Sequence, residues 1–287
     1  MSRIIKSLIS LISLVPVLVA SELAALEGAA LVPFESRYEL SIKGIPQGET
    51  RMQLEPDQPG TYLYHSLTQP KSVAAWFRDE TVRERSRFEL VAKGLRPLEF
   101  EYLRSSDRAD RSVTIRFDWE KNRVLNSVEG DNWSMPVPVG TLDKILVNLA
   151  LMVDLQRGLT HVEYPVADGG ILKTYRFDVI NKTRIETPAG TFDTVVVERS
   201  REDRQSTQLW CAPELGYLPV RVERRLSDDM YYTSELRDYS PSLRDWSVED
   251  AAMGPERSGA ESRIQNPEFS IQNSGVRREE SGVRSEE

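Results

Sequence analysis

A chain of 287 residues with a formal net charge of −8 is a poor partner for nucleic acid or an anionic lipid surface, because like charges repel. Its 39% apolar content permits a core, while 29% charged residues require a heavily charged exterior. Cys211 is the sole cysteine, which excludes an internal disulfide and a cysteine-based metal site, and only His65 and His161 could supply imidazole.

The start, Met1 to Ala25, predicts a secretory signal. Arg3 and Lys6 give a positive lead, Leu8 to Val19 an apolar stretch, and Ala20, Ser21, Ala24 and Ala25 a run of small residues. Cleavage at Val19-Ala20-Ser21 fits, and so do later sites. The rival reading is a membrane anchor. Against it, the stretch is short for a span of about 20 residues and Pro16 interrupts it. No cysteine follows, so the usual bacterial lipid-anchor signal is absent. The expected mature chain is free in the periplasm, without a stable transmembrane segment.

From Phe34 to Tyr239 the pattern is alternation punctuated by turns. Arg37 to Ile42 alternates, Gly44-Ile45-Pro46-Gln47-Gly48 reads as a turn, and Thr50 to Leu54 returns. Pro56 to Gly60 is a second turn, since proline fixes φ and glycine accepts positive φ. Strands are predicted at Thr61–Leu67, Thr81–Leu90, Leu98–Arg104, Ser112–Trp119 and Arg123–Val128. Gly140 to Gln156 breaks this rhythm. Leu142, Ile145, Leu146, Leu149, Met152 and Val153 recur every three to four residues, which predicts a helix capped by Thr141 and ended by Gly158. Val147 and Leu151 leave it apolar nearly all round, so it should lie inside a curled sheet. Strands resume at His161–Val166 and Ile171–Ile180 around an Asp168-Gly169-Gly170 hairpin turn, then at Phe192–Glu198, Thr207–Cys211, Leu218–Leu226 and Tyr231–Tyr239.

The fold class is therefore mainly β: a curved antiparallel or open barrel-like sheet wrapped around one apolar helix, over residues 31–240. Residues 247–287 hold few large apolar side chains and end in a near-repeat, Ser274 to Glu280 and Ser281 to Glu287. They read as a disordered extension, either dispensable or a partner tether.

The second half carries a family likeness. "YPVADGGILKTYRFDVINKTRIETPAGTFDTVVVERS" and "STQLWCAPELGYLPVRVE" resemble the bacterial family called domain of unknown function 3108, through the turn Thr187-Pro188-Ala189-Gly190-Thr191-Phe192 and the segment Trp210 to Glu223. The first half agrees more loosely, through Gly94 to Tyr102 and the helix. The resemblance implies an exported envelope protein with a curved antiparallel sheet. It carries no catalytic residues, since none are established for the family.

No constellation of chemistry stands out from the residues themselves. Neither histidine has a second ligand nearby in sequence, and no G-x-S-x-G elbow exists. Asp228-Asp229 suits a turn, and Glu198, Glu202 and Asp203 alternate with arginines as a solvated face does. Arg78 to Arg87, interleaved with acids, reads as cross-strand pairing or as a basic groove for an anionic ligand. The best functional hint is aromatic: Trp76, Phe77 and Trp210 are candidates to line an apolar cleft for a lipid or hydrophobic peptide. No cofactor or metal is expected. The leading expectation is a non-catalytic binding or carrier module. The alternatives are an assembly factor for another envelope protein and a hydrolase acting on an envelope glycan or lipid.

Overall fold

The computed structural model describes residues 31–71, 80–92, 94–106, 109–200, 206–227 and 230–241. The signal-like start, Trp76 and Phe77, Glu202 and Asp203, Asp228-Asp229 and the C-terminal extension lie outside them.

Among the described residues, the alternating stretches form fifteen strands. The first eight are Phe34–Ile42 (β1), Ile45–Pro56 (β2), Thr61–Pro70 (β3), Glu80–Val91 (β4), Gly94–Ser106 (β5), Arg111–Asp118 (β6), Arg123–Val128 (β7) and Asp131–Pro136 (β8). Leu142–Asp143 (β9) and the helix Leu146–Gln156 (α1) follow. The chain then forms His161–Asp168 (β10), Ile171–Thr187 (β11), Gly190–Ser200 (β12), Ser206–Ala212 (β13), Leu218–Ser227 (β14) and Met230–Pro241 (β15).

All fifteen belong to one sheet, ordered β8-β7-β6-β5-β4-β3-β2-β1-β15-β14-β13-β12-β11-β10-β9. Two meanders thus run outward from a central seam where β1 pairs with β15. Every pairing is antiparallel except β9 with β10. On the outer face the seam is crossed by the ion pairs Arg37–Asp238 and Arg237–Glu39. Both are exposed and contribute little. Register shifts at Arg37/Tyr38, Leu40/Ser41 and Arg87/Phe88 mark bulges, which bend strands and increase twist.

The sheet curls without closing into a barrel. Alternation puts Phe34, Tyr38, Leu54, Tyr64, Phe88, Phe100, Ile115, Val197, Leu209 and Leu236 on its concave side, where all are buried. Helix α1 lies against them. Eight of its residues are buried, including Leu146, Leu149 and Leu151 at 1% exposure or less. Each such leucine gains about 1.5–3 kcal/mol by leaving water. The edge strand β8 approaches the β10–β11 turn: the Trp133 Nε1–H donates to the Gly170 carbonyl at 3.4 Å. A Cβ on Gly170, where φ is +84°, would meet that indole at 1.9 Å.

Among the boundaries that differ from expectation, two reshape the region around the helix and the first turn. The helix begins at Leu146 rather than Leu142, because Leu142–Asp143 pairs in parallel with Val166–Ala167. Thr141 does not cap it; its hydroxyl donates to the Pro138 carbonyl instead. The first turn is also shorter than expected. Lys43 (φ 52°) and Gly44 (φ 74°) alone reverse the chain, so Ile45 to Gly48 belongs to β2.

Candidate functional site

The concave face has two ends. At the end marked by Phe34, Leu54, Tyr64 and Phe88, helix α1 and the core fill the space. At the other end, β1, β2, β3, β14 and β15 enclose a cleft of about 390 Å³. Leu40, Ile42, Pro70, Val222 and Tyr232 supply its apolar wall, and Thr68 and Ser234 its neutral polar positions. Gly48 forms part of the floor, and a Cβ there would sit 2.5 Å from the Gln69 carbonyl oxygen. Glycine is thus required for β2 to approach β3 at the Gly48–Pro70 pair.

The cleft has polarity along its depth. Successive same-face residues run outward from buried Tyr38 through Leu40 to Ile42 on β1, and from buried Leu236 through Ser234 to Tyr232 on β15. On β14 the series is Val220, Val222 and Arg224, the last an exposed residue. Glu80 contributes the opposite wall.

A second polar cluster anchors the helix. Asp143 is completely buried. Its Oδ1 accepts from the Ile145 and Leu146 amides at 3.1 and 3.0 Å, and its Oδ2 from the Ser86 hydroxyl at 2.5 Å. Beside it, Lys144 pairs with Glu84 at 2.6 Å and lies 4.3 Å from the Tyr102 ring centroid. Burial pushes the Asp143 carboxyl up to about 6, offset in part by those three hydrogen bonds. The cluster does structural work: it satisfies amides at the helix start and ties them to β4.

The histidines lie far apart in the sheet. His65, on β3, is half-buried with Nε2 3.5 Å from Glu55, and burial lowers its pKa. His161, on β10, is exposed with Nδ1 2.6 Å from Asp178. Among the described residues, no group of three or more His, Cys, Asp or Glu side chains gathers at metal-binding spacing. Cys211 is fully buried, and burial raises its thiol pKa, which leaves it unreactive.

The arginines of β4 are mostly cross-strand partners: Arg87 meets Asp57 at 2.9 Å and Arg85 meets Glu101 at 3.8 Å. Arg85 also borders an outer-face trough of about 450 Å³, where Arg51, Arg83 and Arg85 stand among Glu35, Glu84 and Glu101. Of the aromatic candidates, Trp76 and Phe77 lie outside the described residues. Trp210 alternates with Leu209 and Cys211, which enter the core. Its ring stands 5.8 Å from the Arg221 guanidinium and does not line the cleft. The residues that do line it had no local signal: they come from six strands and meet only through long-range pairing.

Together these features define a class: a barrel-like but open antiparallel sheet, filled by a helix at one end and cleft at the other. The chain belongs to the DUF3108 family of proteins of unknown function, whose model matches residues 37–236. A β-barrel-like protein of the DUF1849 domain family from Brucella abortus has the same fold. It is 8% identical, with a TM-score of 0.50 over 74% of this chain and 98% of its own. Weaker likenesses are a lipoprotein-class structure from Parabacteroides distasonis (11% identity, TM-score 0.32, 73% of this chain and 96% of its own) and a DUF1089 family protein from Pseudomonas aeruginosa (10%, 0.33, 59% and 86%). No curated protein matches in sequence. Among the described residues, no helix is long and apolar enough to cross a membrane.

Proposed function

We propose that the mature chain is an exported, non-catalytic binding or carrier module that holds an apolar ligand in the concave cleft. The observation that carries this reading is the cleft itself. Its wall of Leu40, Ile42, Pro70, Val222 and Tyr232 lies on a face whose other end is packed solid. Its volume, about 390 Å³, falls in the range of small-molecule sites. Trp76 and Phe77 belong to the proposal on sequence grounds: they lie between Pro70 and Glu80, and both of those residues line the cleft. The proposal assigns Trp210 to packing. Export to the periplasm rests on the tripartite start of the sequence.

The test is native mass spectrometry of the protein purified from envelope extracts, with its N-terminus sequenced. The expected result is a chain that has lost about 20–25 residues and carries an apolar adduct released by organic solvent. A chain with its first residues intact would overturn the export reading. Absence of any adduct, together with no saturable uptake of a hydrophobic dye, would overturn the binding reading.

A second reading, docking of an envelope protein, is favoured by the outer edge of β8. Its residues are mostly exposed and it pairs with β7 on one side only. Cross-linking at Ser134 would test it, with a discrete protein adduct as the expected outcome.

A further inference from the structure

We propose that the concave side of β5 and β6 binds a phosphate group, held between Arg104 and Arg111 and bordered by Lys144. The site lies on other strands than the apolar cleft, and the proposal does not rest on that reading.

Register places the two arginines together. Phe100, Tyr102 and Arg104 share one face of β5, and Arg111, Val113 and Ile115 share one face of β6. Phe100, Val113 and Ile115 are core residues, so both arginines belong to the concave side. Arg104 stands directly opposite Arg111. Side chains so placed start about 5 Å apart at Cβ, and like charges there destabilise the pairing. An anion between them reverses the sign of that effect.

Among the described residues, no carboxylate fills this role. Neither guanidinium has an ion pair or a hydrogen bond, and the Nε of half-buried Arg104 is shut off from solvent as well. A buried N–H without an acceptor is costly. The neighbouring acids are engaged elsewhere or out of reach. Glu84 pairs with Lys144 at 2.6 Å, and Asp168 with Lys173 at 2.5 Å. Asp110 accepts from the Ser105 hydroxyl at 2.9 Å and the Ser106 amide at 3.3 Å. Glu80, opposite Ser106, forms no ion pair with Arg104.

A hollow of about 120 Å³ adjoins the pair, lined by Tyr102, Arg111, Lys144 and the turn residues Asp168 and Gly169. It falls well below the size of sites that enclose a whole drug-sized ligand, so it suits a single group. Phosphate fits the donors better than carboxylate does. Each arginine presents a planar fork that takes two oxygens at once. A tetrahedral phosphate has oxygens for two forks, whereas a carboxylate serves one. The net charge of −8 does not oppose this, because a local patch sets the field that a bound anion meets.

The experiment titrates the full chain with inorganic phosphate at constant ionic strength in chloride buffer, by calorimetry and by thermal unfolding. One saturable site is expected, with phosphate raising the melting temperature. Arg104→Gln and Arg111→Gln should each weaken binding tenfold or more. Arg111→Gln changes an exposed residue and removes the like-charge contact, so without phosphate it should be at least as stable as the parent. Arg83→Gln alters an exposed arginine of β4 on the outer face and should bind as the parent does, which separates a site from a change of net charge. Dihexanoyl phosphatidic acid and glycerol phosphate identify the source of the group. Tenfold tighter binding of the first assigns it to a lipid head, tenfold tighter binding of the second to a soluble phosphoester, and parity with inorganic phosphate to the free anion. An equal response to phosphate and chloride would reduce the effect to screening and overturn the site. Unchanged phosphate binding in the Arg104→Gln, Arg111→Gln double variant, shown to be folded by circular dichroism, would overturn it too. A loss of stability in phosphate-free Arg111→Gln would show that Arg111 already has a partner in the fold, with the same consequence.

Discussion

The two ends of the concave face are built from the same strands and end in opposite states. On β4, Ser86 and Phe88 are fully buried in the core, while Glu80, six residues before Ser86, stands exposed at the cleft. On β1, Phe34 and Tyr38 are core residues, whereas Leu40 and Ile42 are half-exposed. Strand chemistry does not account for the contrast, since both ends alternate. The difference is α1, which occupies one end only. A curved sheet of this size makes more concave surface than one helix of Leu146–Gln156 can cover. The uncovered part is available to a ligand.

The sharpest way to break the comparison is at the filled end. Leu149 is fully buried against the core, so Leu149→Ala should leave a cavity and cost about 3–5 kcal/mol, read by urea unfolding. A cost under about 1 kcal/mol would mean that the helix end is as loosely packed as the cleft.

Next in size is the anchor of that helix. The Asp143 carboxyl titrates at about 6 in the folded chain against 3.8 for an ordinary aspartate. The folded state therefore binds more protons than the unfolded between those values, and the ionised carboxylate is a cost above about pH 6. As pH falls from 7 through 6 toward 4, this group should add stability, fully present below 3.8. The gap corresponds to about 3 kcal/mol. Glu84 raises the value further, and the Ser86 hydroxyl and the two amides act against it. Asp143→Asn keeps the shape and can reverse the hydrogen bond to Ser86. It should remove this part of the pH slope of stability between pH 7 and 5. An unchanged slope would show that the anchor does not titrate there.

How much of this contrast was legible in the sequence depends on range. The predicted strands at Thr61–Leu67, Thr81–Leu90 and Phe192–Glu198 lie inside β3, β4 and β12, because alternation is local. The apolar helix was legible for the same reason. Its start was not, since the pairing of Leu142–Asp143 with Val166–Ala167 is a long-range contact that outweighs a helical pattern. Strand β8 went unread: Asp131, Asn132 and Ser134 are exposed on an edge and show no apolar period. The lower part of β11 went unread as well, because the bulge at Val179/Asn181 interrupts its alternation and Asn181 to Arg184 are all exposed. The cleft was foreseen as a kind of site, not as a set of residues. Its wall is assembled from strands that are far apart in the chain, and only their register brings Leu40 near Val222.

A smaller effect is expected at the floor of the open end. In Gly48→Ala the new methyl group would meet the Gln69 backbone, which cannot rotate away as a side chain could. Separating β2 from β3 there should cost about 1–3 kcal/mol, by the logic of overpacking. The shape of the cleft should change with it, so uptake of the hydrophobic dye should fall together with stability. Loss of stability with binding intact would place the ligand elsewhere on the molecule.

The smallest expected effect on stability is the most informative about the comparison. Leu40 and Leu149 are the same residue type, and Leu→Ala removes the same atoms from each. The cost of such a change has two parts: the lost transfer free energy and the cavity left behind. At Leu149 both apply in full. At Leu40 the side chain is only half-buried and faces space that is already open, so its removal enlarges a cleft and creates no sealed void. Leu40→Ala should therefore cost under about 1 kcal/mol in urea unfolding without ligand. With a bound apolar ligand the difference from the parent chain should widen, because ligand binding stabilises whichever form binds it better. If Leu40→Ala instead costs as much as Leu149→Ala without ligand, the cleft is shut in solution and the two ends of the sheet are alike. If its small cost does not grow with ligand, Leu40 forms no part of the wall that the ligand touches.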